Sequence, residues 1–281
     1  MRFGMQGANL GRYARAEGAL ELVSVAEEVG LATLWTADHV VLPDAYASKY
    51  PYAADGRMPG ARTDFDFPEL VVWMAYVAHA LRSVRLATGV VILPQRNPLL
   101  LAKQLATLDN LVVPELALGI GVGWLEEECV ALGVPWERRG QRTDEYVAAM
   151  RELWAGGPTT FAGEFSRFDG IYCLPRPKHG TIRVIVGGHT EAAARRAGRL
   201  GDGFYPWKLP IERLDHLLTV MRQAATDAGR DPATIEVIAG EEKDPDQFHR
   251  LADLGVTEIV MGPMNLEKLR RFGDEVIAKQ P

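Results

Sequence analysis

The chain has 281 residues, 47% hydrophobic and 24% charged, with a formal net charge of −6 at pH 7. The length allows a large core, in one big α/β domain or two smaller ones, the composition is ordinary for a soluble globular protein, and the acidic balance without any basic run argues against a nucleic-acid partner. Two cysteines, Cys129 and Cys173, rule out a disulfide framework and point to a reducing cytosol, while no signal-peptide pattern and no run of 18 apolar residues is found.

Residues 2–7 predict a first strand. Leu22, Val25, Ala26 and Val29 fall at helical spacing, which predicts a helix over 18–29 with Gly30 placed to end it. A second strand over 31–36 delivers Asp38 and His39 just past its C-terminal end. Segment 43–67, with Tyr46, Tyr50, Tyr52 and Phe65, is long enough to be a lid or binding loop. Pro68 opens a helix to residue 81 at the first helical position, which proline favours. A third strand covers 84–93, and Asn97-Pro98 caps a helix through Asn110. In the fourth strand, 112–120, Pro114 confines pairing to the second half. It runs into Gly119-Ile-Gly-Val-Gly123-Trp124. Thr143-Asp-Glu starts a helix with core face Tyr146, Met150, Leu153 and Trp154, stopped by Gly156-Gly157. Residues 159–173 alternate as a hairpin does, and a proline-punctuated connector leads to Gly180.

Ile182, Val184, Ile185 and Val186 form a β-branched run typical of a strand covered on both faces. Gly187 and Gly188 lack a Cβ and admit a close ligand. Thr190 then caps a helix with its acid, Glu191, first and its bases last. Such a helix N-terminus suits a phosphate, although the motif alone equally describes a turn that needs glycine for its angle. Strands over 203–207, 234–239 and 257–261 alternate with helices over 211–228, 245–254 and 266–279. Eight strand-then-helix units predict one (β/α)8 barrel spanning 1–281, ahead of a doubly wound sheet. In that fold active sites gather at the C-terminal ends of the strands. Asp38-His39, the residues after Thr88, the glycines up to Trp124, Gly187-Gly188 and 205–208 then share one mouth.

His39 follows a strand with a carboxylate beside it, a pattern suited to general acid–base work, though also to a plain backbone hydrogen bond. His79 and His216 sit in helical patterns, His179 in a connector and His249 on a polar helix face. No HxxxH or HxH predicts a catalytic metal, and no GxSxG predicts a serine nucleophile. Gly119, Gly121 and Gly123 fall on one strand face. They leave either a flat slot for a planar ligand or room for tight packing at a bulge, and Thr88-Gly89-Val90 invites the same two readings. Trp124, Trp207, Tyr205 and the lid tyrosines suit a ring-shaped ligand or ordinary burial.

Five stretches in the right order resemble the luciferase-like monooxygenase superfamily, in particular its oxidoreductases of the deazaflavin coenzyme F-420. They are Leu34-Trp-Thr-Ala-Asp-His39, Ala87-Thr-Gly-Val-Val-Ile-Leu-Pro-Gln-Arg-Asn-Pro98, Gly119-Ile-Gly-Val-Gly-Trp-Leu-Glu-Glu-Glu128, Arg139-Gly-Gln-Arg-Thr-Asp-Glu145 and Val186-Gly-Gly-His-Thr190. The resemblance implies a (β/α)8 TIM barrel with an insertion before the fifth strand. It implies a deazaflavin or FMN ring against Thr88, Gly89 and Val90, with a cis bond at Gly89-Val90. Gly121, Val122, Gly123 and Trp124 would border the cofactor, and Gly187, Gly188, His189 and Thr190 would hold its phosphate. Asp38 and His39 match the pair beside the ring, with the histidine as proton donor or stabiliser, and a homodimer is implied as well.

Two positions depart from the family pattern. Leu111-Val-Val-Pro-Glu115 replaces a usual Leu-Ser-x-Gly-Arg corner, and Trp124 stands where sugar-phosphate dehydrogenases of the family place a catalytic glutamate. A more apolar substrate than glucose-6-phosphate is thereby implied. The expected activity is hydride transfer between F-420 and an organic substrate. The alternatives are an FMN-dependent two-component monooxygenase and a non-catalytic flavin-binding protein.

Overall fold

The computed structural model describes residues 1–58, 66–242 and 244–279. The strands in chain order are β1 (Arg2–Gln6), β2 (Thr33–Thr36), β3 (Arg85–Thr88), β4 (Val91–Ile92), β5 (Leu116–Gly121), β6 (Thr159–Ala162), β7 (Arg167–Ile171), β8 (Arg183–Gly187), β9 (Gly203–Tyr205), β10 (Glu236–Gly240) and β11 (Val256–Met261). The strands β1, β2, β3, β5, β8, β9, β10 and β11 pair in parallel, and the pairing of β1 with β11 and of β3 with β5 leaves the ring closed. This is the expected TIM barrel. The antiparallel β6–β7 hairpin lies before the fifth barrel strand, β8, at the position of the expected insertion.

The helices are α1 (Ala16–Glu28), α2 (Leu70–Val77), α3 (Pro98–Leu111), α4 (Glu126–Ala131), α5 (Arg139–Ala155), α6 (Glu191–Leu200), α7 (Ile211–Asp227), α8 (Pro245–Asp253) and α9 (Leu266–Glu275). Among the described residues none is long and apolar enough to cross a membrane. Three local expectations need correction. The third strand does not run through 84–93: it stops at Thr88, passes the cis Gly89-Val90 bond and resumes as β4, where Val91 pairs with Ile120. Pro68 precedes the helix rather than opening it, because Glu69 caps α2 by accepting from Val72 N at 2.8 Å. Thr143 lies inside α5, where its hydroxyl bonds back to Arg139 O at 2.8 Å, a habit of helical threonine that resembles a cap in sequence. The short α4 has no counterpart in the periodicity.

The buried residues form two layers. An outer layer packs strand residues such as Leu34, Leu86, Leu118 and Val184 against helix residues such as Leu22, Leu105, Met150 and Leu217. An inner layer inside the barrel holds Trp35, Ala87, Ala117, Ile185, Tyr205, Ile238 and Val260. Alanines beside one indole and one phenol keep the barrel filled without overlap.

Beneath that inner layer, at the N-terminal ends of the strands, lies a buried ionic network. Arg85 Nη2 meets Glu258 Oε2 at 2.6 Å, Arg85 Nη1 meets Glu236 Oε2 at 3.2 Å, and Arg85 Nε donates to Thr33 Oγ1 at 3.1 Å. The other oxygen of Glu258 accepts the Trp35 indole N–H at 2.9 Å. The departing corner at 111–115 belongs to this end. Lys178 Nζ donates to the carbonyls of Val112 and Pro114 at 2.9 and 3.2 Å, and Glu115 faces Arg183 at 3.7 Å and Arg85 at 3.9 Å. The altered corner therefore serves the base of the barrel and is remote from its mouth.

Removing the cation from this network strands a buried carboxylate. Arg85→Met is expected to lower unfolding stability by about 3–5 kcal/mol. Adding Glu258→Gln to that variant should restore part of the loss, and chemical denaturation of both variants checks the prediction.

Candidate active site

The mouth is built first by backbone. Asn9, fully buried in the loop after β1, holds Ala37 with both ends of its amide: Asn9 Nδ2 donates to Ala37 O at 2.9 Å, and Ala37 N donates to Asn9 Oδ1 at 2.8 Å. This clamp fixes the chain as it leaves β2 and presents Asp38 and His39. The two side chains then part. Asp38 accepts from Ile92 N at 3.0 Å and pairs with Arg96 Nη2 at 2.6 Å, while Arg96 Nη1 reaches Glu69 at 2.6 Å. Burial pushes the Asp38 carboxyl up, against the pull of the Arg96 guanidinium and the Ile92 N–H. Asp38 thus anchors β4 and the arginine, and it is not the acid that orients His39.

That acid is Glu128, on α4. Its Oε2 lies 2.7 Å from His39 Nδ1, and its Oε1 accepts from Val40 N and Val41 N at 2.6 and 3.2 Å. Glu128 is fully buried. Burial disfavours its charge, but the hydrogen bonds from His39, the Gln95 side chain and Val40 N outweigh this and hold the carboxyl below its ordinary 4.5. An ionised carboxylate only accepts, so Nδ1 carries the hydrogen and the lone pair of the neutral ring lies on Nε2. Among the described residues Nε2 has no hydrogen-bond partner.

The two glycines of β5, and Gly123 just after it, each make room for a neighbouring group. A Cβ on Gly119 would run into Thr88 O, on Gly121 it would lie 2.6 Å from Val90 Cγ2, and on Gly123 2.8 Å from Ile92 Cγ2. Gly187 of β8 leaves the same space, since its Cβ would lie 2.7 Å from Val90 Cγ1. Val90 is therefore wedged between glycines of two neighbouring strands. The Thr88 hydroxyl turns away to bond Gly119 O at 2.7 Å, and the Gly89 carbonyl accepts from the Gln6 side-chain amide. Tyr205 supports that amide through a long 3.4 Å hydrogen bond to Gln6 Oε1.

On the far side of Val90 lies the glycine turn before α6. Gly188 takes φ +124°, which only glycine adopts without strain, and its N–H already bonds Tyr205 O at 3.3 Å. The glycine is thus required by the angle of the turn, whatever the turn binds. Thr190 caps α6 by accepting from Ala193 N at 3.2 Å. The first-turn N–H groups of Glu191 and Ala192 have no intrahelical acceptor by their position. His189 Nδ1 is buried without a partner among the described residues, and burial together with the Arg213 charge lowers the pKa of that ring.

The lid spans the mouth. Tyr46 and Tyr50 meet the Trp124 ring edge-on at 5.4 and 5.2 Å, and Tyr52 meets His189 at 4.9 Å. Its backbone is latched to α4: Ala47 N and Ser48 N donate to Glu127 Oε1 at 2.6 and 3.2 Å, and Glu126 N donates to Ser48 Oγ at 3.1 Å. Burial raises the Glu127 carboxyl, but the Ser48 side chain and the backbone N–H groups of Glu127, Ala47 and Ser48 together outweigh it and hold the group down to about 2. Phe65, the remaining lid aromatic named above, lies outside the described residues. Val122 lies half-buried between Gly121 and Gly123. Among the described residues no group of three or more His, Cys, Asp or Glu could hold a metal ion.

The model of the luciferase-like monooxygenases matches residues 1–241. The chain belongs to this family. Among its relatives is an F420-dependent glucose-6-phosphate dehydrogenase of Nakamurella multipartita, 31% identical over 236 residues, or 82% of this chain and 63% of the relative. An FMNH(2)-dependent dimethylsulfone monooxygenase of Pseudomonas fluorescens is 36% identical over 112 residues, 39% of this chain and 30% of that one. In fold the chain is similar to an F420-dependent secondary alcohol dehydrogenase in complex with an F420–acetone adduct. That match has a TM-score of 0.80 at 19% identity and covers 100% of this chain and 99% of the other. Luciferase-like proteins thus include F420-dependent and FMN-dependent oxidoreductases.

Because Glu128 is held below its ordinary 4.5, its contribution to stability is complete above that value and is lost as pH falls through the lower folded one. Glu128→Gln should therefore be less stable than wild type at neutral pH. The gap should close as pH drops well below 4.5, as followed by denaturant titration across that range.

Proposed function

We propose that the protein is an oxidoreductase moving a hydride between the deazaflavin coenzyme F-420 and an organic substrate, with His39 handling the proton. The observation that supports this best is the His39–Glu128 pair at 2.7 Å, which commits Nδ1 and leaves Nε2 for a ligand. The residues fit a phosphate-bearing ring cofactor. The unpartnered buried Nδ1 of His189 and the capped N-terminus of α6 suit the phosphate. The immobilised Val90, with Gly89, Val122, Gly123 and Trp124 nearby, suits a planar ring. When bound, the cofactor supplies the two-electron chemistry.

The chain's own residues do the rest. Glu128 sets the tautomer of His39, so that Nε2 can take a proton from a hydroxyl or, once protonated, return it to a carbonyl oxygen. Asp38, Arg96 and Glu69 lock β4 behind that ring. With a ligand bound, Tyr46, Tyr50 and Trp124 would shield the mouth from water, which would strengthen the polar interactions beneath them. Relatives that use FMNH(2) support a second reading, a monooxygenase on the same barrel. A homodimer is proposed as well, since Val72 and Tyr76 of α2 and Leu100 of α3 are exposed apolar residues on adjacent helices. Sedimentation as a stable monomer would overturn it.

Anaerobic titration of the apoprotein with oxidised and reduced F-420 and FMN separates the readings. Tighter binding of F-420 supports hydride transfer, preference for reduced FMN supports the monooxygenase, and binding without turnover supports a carrier. His39→Ala should lower turnover by about 10²–10⁴-fold while cofactor affinity changes much less. Unchanged turnover would remove the proton-transfer role, and a parallel loss of cofactor binding would make His39 a ring-positioning residue instead.

A further inference from the structure

We propose that the substrate is an uncharged alcohol, or its ketone, carrying a flat apolar group. Phe67, Trp124, Tyr46 and Tyr50 would receive that group, with the substrate oxygen on His39 Nε2. The proposal rests on the hydride-transfer reading and adds to it the chemistry of the ligand.

The surroundings of His39 are rings. Phe67 and Trp124 meet the imidazole edge to face at 5.3 and 5.8 Å, both at 85°. Trp124 is in turn the hub for Tyr46 and Tyr50, at 5.4 and 5.2 Å. Such walls favour a planar apolar body, because edge and face contacts add to the gain from burying area.

The charges nearby are already paired. Glu128 is bonded to His39 and two backbone N–H groups, Asp38 to Arg96 and Ile92 N, and Arg96 also to Glu69. Among the described residues no lysine or arginine lies over Tyr46, Tyr50 or Trp124, and none pairs with His39. Against the described walls a phosphate or carboxylate would lose its hydration while facing two buried carboxylates. A neutral hydroxyl or carbonyl needs only one strong partner, and Nε2 provides it. The Tyr46 hydroxyl already accepts from Met58 N at 3.2 Å, whereas that of Tyr50 has no hydrogen-bond partner among the described residues. Burial pushes the Tyr50 hydroxyl up, so it stays a neutral donor.

The reaction balances with these groups. Oxidising the alcohol breaks its C–H and O–H bonds and forms C=O. The hydride carries its electron pair to the oxidised deazaflavin, and the proton goes to His39 Nε2. Reduction of the ketone reverses both transfers.

The test uses the purified full chain, with and without F-420, and the probes acetophenone, 1-phenylethanol and glucose-6-phosphate. Binding is read by saturation-transfer NMR and turnover by cofactor absorbance. Acetophenone should bind in both states, and glucose-6-phosphate at least about 100-fold more weakly. Tyr50→Ala should raise KM for 1-phenylethanol by about tenfold with kcat and F-420 affinity little changed, and Tyr50→Phe should restore most of it. A chain that binds F-420 but neither aromatic probe, or that takes glucose-6-phosphate as well as acetophenone, overturns the proposal. So does an unchanged KM in Tyr50→Ala. Acetophenone binding to a chain that accepts only FMN would instead overturn the hydride-transfer reading and leave the aromatic site standing.

Discussion

Everything at the mouth rests on one side chain inside the barrel, the Trp35 indole. Its N–H is tied to Glu258 in the ionic base, its ring leans on Tyr205 at 4.9 Å, and its far edge supports the turn after β3. A Cβ on Gly4 would lie 2.9 Å from Trp35 Nε1, on Gly89 3.1 Å from Trp35 Cβ, and on Gly119 3.3 Å from Trp35 Cζ3. Two strands and the turn after β3 give up side chains so that one large ring can fill the barrel axis. The consequence is directional. Because Glu258 is fixed by Arg85 and Thr33, the indole cannot slide, and the Gly89-Val90 turn lies on a floor set from below. Interiors packed to this density transmit position well, which is how an ion pair at the base bears on a loop at the mouth.

The same use of absent side chains continues outward. Val90 is wedged between Gly121 and Gly187 and faces the glycine turn before α6. The strand that carries the proposed ring floor and the strand that leads to the proposed phosphate cradle are thus held at a set separation by one β-branched residue, itself stiff about χ1. Gln6 and Tyr205 close the arrangement from the opposite side of the barrel by fixing the Gly89 carbonyl. A cradle and a floor positioned by backbone and by rigid apolar wedges need no reorganisation when a ligand arrives.

The eight units of the fold are legible in the sequence because each barrel strand is a short apolar run and each helix carries a 3.6-residue stripe. The convergence of Asp38-His39, Val90, Trp124 and Gly188 follows from that topology alone. The cis bond is legible only through family resemblance, since nothing in Thr88-Gly89-Val90 distinguishes it from a trans turn. Glu128 is not legible. It is the last of three consecutive glutamates, and periodicity gives no means of telling which one crosses 89 residues of sequence to meet His39. The helix that carries it has six residues, too few for a hydrophobic stripe. Asn9 and Gln6 are hidden for a similar reason, because an amide that satisfies distant backbone groups leaves no local pattern. The glycines of β5 are visible as a pattern but not as a cause, since what they accommodate lies on the neighbouring strand.

The short α4 ties these observations together. A six-residue helix has little stability of its own, so its place is set by what its side chains hold. Glu128 holds His39 and the two backbone groups that follow it, Glu127 and the backbone of Glu126 hold the lid at Ala47 and Ser48, and Trp124 just before the helix carries Tyr46 and Tyr50. Segments 39–41, 46–50 and 124–128 are therefore linked into one connected unit. A lid that lifted while α4 stayed would break the backbone bonds of Glu127, and a helix that moved with the lid would take the Glu128 carboxylate from His39. In the second case the partner of His39 Nδ1 and the cover over the mouth change together. If His39 handles the proton as proposed, its Nδ1 partner is held in place by the same short helix that anchors the cover over the mouth, so orientation of the ring and shielding from water share one support.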